Sequence, residues 1–333
     1  MLVLVVGCGS IGERHIRNLT DLKMGEIIAH DVSPERRREL EKQYGISTFG
    51  NLDEALTRKP DVALICTPTS LHIPAALSVA HNSGCHLFIE KPLSHSLDDV
   101  DRLAEIVAQK NLVTLVGCNM RFHPSIVKIR ELLEGRGIGK VLCARAQSGQ
   151  YLPDWHPWED YRGGYSANSL SGGGAILDGV HEIDYVSWFL GKVDQVFCFA
   201  DKLSQLEIDT EDIAEILLHF ESGAIAEVHL DYIQRSYGRS CHLIGEEGTI
   251  LWDYNDRQVK LYSAQTKEWQ IFPEEPDYDI NQMYIEEIKH FIKCLDGKTK
   301  PAQDINAGRM VLEIALAAKE SAKTRKLVNL EGH

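Results

Sequence analysis

The stretch VVGCGSIGERH, residues 5–15, ends an apolar run and opens a helix-like pattern. Its glycines, Gly7, Gly9 and Gly12, have the Gly-x-Gly-x-x-Gly spacing of a dinucleotide-binding turn. Gly7 allows the tight turn, Gly9 lets a pyrophosphate approach the backbone, and Gly12 lets helix and strand pack closely. The helix N-terminus, led by Ser10 and Ile11, then faces the phosphates. Any tight loop favours glycine, so the context decides. Here the turn follows a strand, opens a helix, and is followed 24 residues after Gly7 by Asp31 at the end of a second strand. Asp31 is placed to accept hydrogen bonds from a ribose diol and to repel a 2′-phosphate, so NAD is the expected cofactor and NADP the alternative. Arg36, Arg37 and Arg38 read as solvated charges on a helix, with phosphate binding as the other reading.

Outward from this turn, strand and helix patterns alternate. Strands are expected at Leu2–Val6, Glu26–His30, Ile46–Phe49, Asp61–Cys66, Cys85–Ile89 and Leu112–Val116. Helices are expected over 11–22, 52–57, 74–83 and 97–109, and Ser33-Pro34-Glu35 is a helix start. Apolar strands separated by helices mean a parallel sheet covered on both faces. After residue 122 the rhythm changes to alternating strands, with helices near 174–190, 280–295 and 303–323, which predicts an α+β domain on an antiparallel sheet. The expected division is 1–122 and 123–333, with the last helix a candidate to pack back on the first domain.

The 333 residues carry 49 acidic against 35 basic side chains, a net charge of −14. That balance argues against a nucleic-acid or anionic-membrane partner. No apolar run reaches the roughly 18 residues of a membrane span, and no signal peptide is visible. Eight scattered cysteines without a C-x-x-C pair read as reduced core thiols of a cytoplasmic protein, and no metal-ligand spacing appears.

Ligands of an open α/β sheet sit beyond the carboxyl ends of its strands. There the chain places Cys66-Thr67-Pro68-Thr69, Glu90-Lys91-Pro92 and Gly117-Cys118-Asn119. Lys91 is either a strand end in solvent or a group that meets nicotinamide and substrate, with Pro92 biasing it towards extended backbone. Later, GGGAILDGVHEIDYVSWFLG, residues 172–191, sets Asp178 and His181 at i and i+3. They share a helix face, extended by Glu182 and Tyr185, with Ala175, Ile176, Val180, Ile183 and Val186 expected as the buried remainder. A carboxylate beside an imidazole holds its orientation and raises its basicity. The aromatic and polar stretch 151–170 is either a substrate loop or an interdomain packing segment. Arg162 in it is suited to pairing with a carboxylate or phosphate.

Together these segments resemble the glucose–fructose oxidoreductase/inositol dehydrogenase/rhizopine catabolism (Gfo/Idh/MocA) dehydrogenases. The resemblance rests on the glycine turn with His15, CTPTSLH at 66–72, EKPLS at 90–94, NMRFHP at 119–124, the GGG…D…H…D segment, GEEGTI at 245–250 and the closing SAKTRKLVNL. It implies a Rossmann domain followed by an α+β domain with a large open antiparallel sheet, through which homodimers or homotetramers form. It implies NAD(P)-dependent oxidation or reduction of an alcohol on a sugar, sugar acid or nucleotide sugar. Lys91, His181 and Asp178 become the catalytic set, although D-x-x-H here replaces the commoner D-x-x-x-H. Thr67, Pro68, His72, Glu90, Lys91 and Asn119 join the glycine turn and Asp31 as cofactor residues, and Arg121, Tyr161 and Arg162 are substrate candidates. His181 would take the hydroxyl proton and Lys91 would donate to the same oxygen. A cofactor-binding sensor without catalysis, as in galactose-regulon repressors, and a reductase of flatter, less polar molecules are the rival readings.

Overall fold

The computed structural model describes residues 1–155 and 157–330, so His156 of the aromatic stretch and residues 331–333 lie outside the described residues. The chain forms two compact units, Met1–Asn119 with Asn281–Met310, and Met120–Ile280 with the chain from Val311.

In the first unit β1 (Leu2–Val6), β2 (Glu26–His30), β3 (Ser47–Phe49), β4 (Val62–Ile65), β5 (His86–Glu90) and β6 (Thr114–Gly117) form a parallel sheet in the order β3-β2-β1-β4-β5-β6. Between them run α1 (Ser10–Asp21), α2 (Pro34–Tyr44), α3 (Leu52–Leu56), α4 (His72–Asn82) and α5 (Val100–Gln109). Ser33 caps α2 by accepting the Arg36 N–H, Pro34 opens the helix, and Gly45 closes it at φ +66°. The expected start of α5 at Leu97 moves to Val100, because the Ser96 hydroxyl bonds Asp98 and turns the chain first.

Val3, Val5, Ile27, Leu64, Phe88 and Leu115 form the core of this unit with Ile16 and Leu19 of α1. The helix Asn281–Leu295 belongs here too, which the expected division into 1–122 and 123–333 did not foresee. Its Ile288 and Phe291 enter that core, with Phe291 edge-on to Phe88 at 5.9 Å. Burying such side chains contributes about 1.5–3 kcal/mol each. Asn18 and Asn281 exchange side-chain amide bonds, and Val116 donates its N–H to the Gln303 carbonyl.

The second unit holds α6 (Pro124–Glu134), β7 (Val141–Gly149), α7 (Ala175–Asp178), α8 (Val180–Leu190), β8 (Val193–Asp201), β9 (Ile213–Phe220), β10 (Ile225–Asp231), β11 (Gly238–Gly245), β12 (Gly248–Asp253), β13 (Gln258–Ser263), β14 (Glu268–Pro273) and β15 (Val328–Asn329). The returning helix Asn281–Leu295 is α9 in chain order, and α10 runs Ile305–Thr324. The nine-stranded sheet is ordered β14-β13-β12-β11-β7-β10-β9-β8-β15. Every pairing is antiparallel except β10 with β7, which is parallel and sets Asp231 beside Gly149. One face is buried through Ala144, Ala146, Ile216, Leu218, Val228 and Leu230. The other exposes Phe199, Leu217 and Ile225, each about half accessible (53%, 49% and 52%). Alternation along each strand produces the two faces. Among the described residues no helix is long and apolar enough to cross a membrane.

On the open face His229 sits between Asp231 (Nε2–Oδ2 3.0 Å) and Glu215 (Nδ1–Oε1 2.7 Å). The bond to Asp231 is the largest influence against desolvation, and with Glu215 it pushes the imidazole up to about 9. The folded value exceeds the unfolded one of roughly 6.5. The stabilisation is therefore complete below about 6.5 and is lost as pH rises through about 9. Urea midpoints should fall across that window in the wild type and fall less in His229→Gln; equal slopes in the two proteins would refute the assignment.

Candidate active site

The glycine turn joins β1 to α1 with no spare room. A Cβ on Gly12 would lie 2.0 Å from the Gly7 carbonyl oxygen. Gly7, at φ +87°, would put one 2.7 Å from the Thr67 nitrogen. Gly9 differs: nothing lies within 4 Å of its Cβ position. Gly9 is also the N-cap of α1, and no side chain caps that end, so the Ser10–Gly12 N–H groups are left for a ligand.

Asp31 closes β2 against the turn. Its Oδ2 accepts from Cys8 N–H (2.8 Å) and its Oδ1 from Ser33 N–H (2.8 Å). Behind it the arginines are not simply solvated. Arg36 donates from Nε to the Cys8 carbonyl (2.6 Å) and pairs with Glu13 and Glu39. Arg37 donates to the Asp31 carbonyl (2.7 Å), and Arg38 pairs with Glu35. Arg36 thus laces α2 to the glycine turn, a link that sequence spacing does not reveal.

The carboxyl ends of β4, β5 and β6 carry the next residues. Thr67 Oγ1 and Asn119 Oδ1 are buried, and no protein group satisfies either. Pro68 opens a short helical turn, Thr69–Leu71, ahead of α4. Both ring nitrogens of His72 face backbone carbonyls, those of Pro92 (2.9 Å) and Thr67 (2.8 Å). Its burial pushes the imidazole below its usual value despite those carbonyls. The His72 ring thus staples the segment after Lys91 to the Thr67 carbonyl. Glu90 likewise turns inward to His15, at 2.6 Å. Lys91 follows β5 through a cis bond to Pro92 and is partly exposed. Because β5 lies between β4 and β6, Lys91 leaves the sheet between the strands that lead to Thr67 and Asn119. Open space at Gly9, uncapped N–H groups and two orphaned buried oxygens fit a dinucleotide in this unit.

In the second unit the expected helix over 174–190 is broken. α7 ends at Asp178 and α8 begins at Val180, with Gly179 between them. A Cβ on Gly179 would meet the Leu230 side chain at 2.6 Å and the Ala175 carbonyl at 2.8 Å, so the chain passes β10 only as glycine. Asp178 and His181 consequently sit on two helices rather than on one shared face. Both are nearly buried, as are Ala175, Ile176, Val180, Ile183 and Val186. Asp178 Oδ2 accepts from the Tyr232 hydroxyl (2.5 Å), a residue missed from sequence because nothing in its surroundings marks it. Tyr232 packs edge-on to Trp155 at 5.3 Å, and Leu152 N–H bonds the Tyr232 carbonyl. Glu182 pairs with Arg239 at 2.8 Å.

The substrate candidates are also placed. Arg121 makes a buried two-pronged contact with Asp184 of α8 (2.8 and 2.7 Å) and lies over Trp188. Arg162 is exposed and held by Asp160 (2.8 Å) and Glu207 (2.9 Å). Tyr161 accepts from the Glu207 N–H at its hydroxyl. His123 caps α6 and is pushed down to about 4, first by burial and then by Arg239 and Arg257. Breaking a buried ion pair leaves a lone buried charge, so Arg121→Ala should cost about 3–5 kcal/mol by urea denaturation. Arg162→Ala should leave the midpoint near that of wild type.

Residues 1–118 match the model of the oxidoreductase family with an NAD-binding Rossmann fold, and residues 126–251 match the GFO/IDH/MocA C-terminal domain. The chain is 30% identical to the myo-inositol 2-dehydrogenase of Thermotoga maritima, over 99% of each chain. It is 26% identical to the scyllo-inositol 2-dehydrogenase (NAD(+)) of Bacillus subtilis, over 98% of this chain and 95% of the relative. A levoglucosan dehydrogenase solved with NADH and levoglucosan shares the fold at a TM-score of 0.89 and 20% identity, over 99% of each chain. With its NAD-binding Rossmann domain and its second-domain sheet, the chain belongs to the Gfo/Idh/MocA family of oxidoreductases.

Proposed function

We propose that this chain, an NAD-dependent dehydrogenase of CH–OH groups, oxidises a secondary alcohol of a neutral cyclic polyol or sugar. The observation that carries the reading is Lys91, which leaves β5 between strands whose following residues, Thr67 and Asn119, hold buried oxygens without a protein partner. The full-length likeness to a myo-inositol 2-dehydrogenase supports a cyclic polyol. Two acidic side chains already hold Arg162, and the net charge is −14, which speaks against a phosphate or carboxylate on the substrate.

Bound NAD supplies the hydride acceptor. Gly7, Gly9, Ser10, Ile11 and Gly12 receive the pyrophosphate, Asp31 the adenosine ribose, and Thr67, Pro68 and Asn119 the nicotinamide half. Asp31 repels a 2′-phosphate, and Arg36, held by Glu13 and Glu39, is not free to attract one. Lys91 donates a hydrogen bond to the alcohol oxygen and stabilises its developing negative charge. His181 removes the hydroxyl proton, and in the reverse direction returns it. Asp178, oriented by Tyr232, supports His181 electrostatically. We also propose assembly into dimers or tetramers through the open sheet face bearing Phe199, Leu217 and Ile225. A reducing, cytoplasmic setting accords with eight free cysteines, seven of them buried.

NADH absorbance should report turnover across a panel of inositols, neutral sugars, sugar acids and UDP- or CMP-sugars. The expected result is activity on a neutral member. Turnover confined to nucleotide sugars or sugar acids would overturn the substrate class, and saturable NAD binding without turnover would restore the sensor reading. Lys91→Ala and His181→Ala should each keep NAD affinity and lose at least ~10²-fold in turnover. Gly9→Ala should keep the melting temperature, because its φ of −62° and open surroundings accept a methyl, yet weaken NAD binding about tenfold or more.

A further inference from the structure

The amino end of Lys91 is tied to a buried polar pair that the reaction above does not use. His15, on α1 and fully buried, sets Nε2 2.6 Å from Glu90 Oε1. The second Glu90 oxygen, Oε2, accepts the backbone N–H of Lys91 at 3.2 Å. One carboxylate thus connects the helix that follows the glycine turn to the residue that carries the ammonium.

The surroundings are built for this pair. A Cβ at Gly117 of β6 would lie 3.2 Å from Glu90 Oε2, so a larger residue there would crowd the carboxylate. The His15 ring packs edge-on to Phe88 at 5.1 Å and lies 6.4 Å from the Tyr284 ring. Arg14 covers Tyr284 from the other side, at 4.4 Å. The other titratable groups that act on this pocket are His72, Cys66 and Glu287. His15 Nδ1 is buried with no hydrogen-bond partner, so the imidazole has Glu90 as its one polar contact. Nε2 must therefore carry the proton that Glu90 accepts, an assignment made from the partners rather than from a visible hydrogen. With a donor on each oxygen, the buried carboxyl group has its hydrogen bonds satisfied. A site meant only to pack would be filled by apolar groups at lower cost, as Ile16 and Phe291 fill the nearby core.

We infer that His15 and Glu90 are a positioning pair: together they fix the backbone of Lys91, coupling the dinucleotide-binding helix to the placement of the ammonium. The inference rests on the reading of Lys91 as the catalytic cation. It assigns His15 a role in the reaction without contact to substrate or cofactor.

The test uses the full chain and two readouts. Acetic anhydride labelling of Lys91, followed by mass spectrometry at fixed, mildly alkaline pH, needs no substrate. Labelling reports how the Lys91 side chain is placed and exposed, so Glu90→Gln, which weakens the two bonds that fix the Lys91 backbone, should change the labelling rate about threefold or more. His15→Phe strands Glu90 and should act in the same direction. His15→Gln, which keeps an N–H donor, should return the rate towards wild type. In turnover, Glu90→Gln and His15→Phe should lose about tenfold or more in kcat while the NAD dissociation constant moves less than about threefold. Folding is checked by circular dichroism, and His15→Gln serves if either other variant unfolds. A folded Glu90→Gln with wild-type Lys91 labelling would overturn the inference, whatever its kcat. A wild type with no turnover on any alcohol would instead overturn the proposed reaction, while the labelling still decides the pair.

Discussion

The dinucleotide half of this protein depends on a close approach between two backbones. The Gly12 position touches the Gly7 carbonyl so closely that a single methyl has nowhere to go. That approach brings α1 down onto the end of β1 and leaves its first N–H groups uncapped. From it follow the aim of the helix at an anion, the reach of Asp31 to the Cys8 amide, and the seat of Arg36 against the Cys8 carbonyl. Acid and arginine both serve the turn, so the side chains nearest a bound adenosine ribose in the proposed site also keep the loop in shape.

The second unit solves a different problem. Its sheet must cover a wide apolar face while delivering a carboxylate and an imidazole close together in sequence. The break at Gly179 does this by letting the chain pass the Leu230 side chain without a Cβ. Asp178 then turns to Tyr232, and His181 stands in the first turn of a new helix that anchors Arg121 and Arg239 through Asp184 and Glu182. The Asp178–His181 segment is followed within a few residues by two ion pairs. Such pairs add little net stability over apolar packing but strongly penalise misplacement.

Local chemistry was legible in the sequence and tertiary partnership was not. The glycine turn, Asp31 and the alternation of the second sheet follow from spacing and periodicity, whereas Lys91 read only as a strand-end lysine with two meanings until the family resemblance implied a role for it. The break at Gly179 was hidden because an apolar 3.6-residue pattern continues across it, and glycine within a helix pattern is tolerated often enough to pass. The return of Asn281–Leu295 to the first unit was hidden because an amphipathic helix shows that it has a buried face but not where that face goes. Arg121 and Arg162 read as substrate candidates; the Asp184 partner of Arg121 lies 63 residues away in sequence, and Arg162 pairs with nearby Asp160 as well as with Glu207, 45 residues on. The partners of His72 and Glu90, backbone carbonyls and a histidine 75 positions earlier, were hidden in the same way.

The one parallel pairing in the second sheet has a consequence for how such a protein can diversify. Since β7 and β10 run the same way, the chain leaves both at the same edge, with Gly149 beside Asp231. The two departing segments are stitched at once, Leu152 to Tyr232 and Tyr151 to Arg235, and Tyr232 passes directly to Asp178. Lengthening or trimming either exit would be felt next to that carboxylate while leaving the registers of the sheet undisturbed. Variation in chain length can accumulate there cheaply, whereas Gly7 and Gly12 of the glycine turn have no slack for even one added carbon.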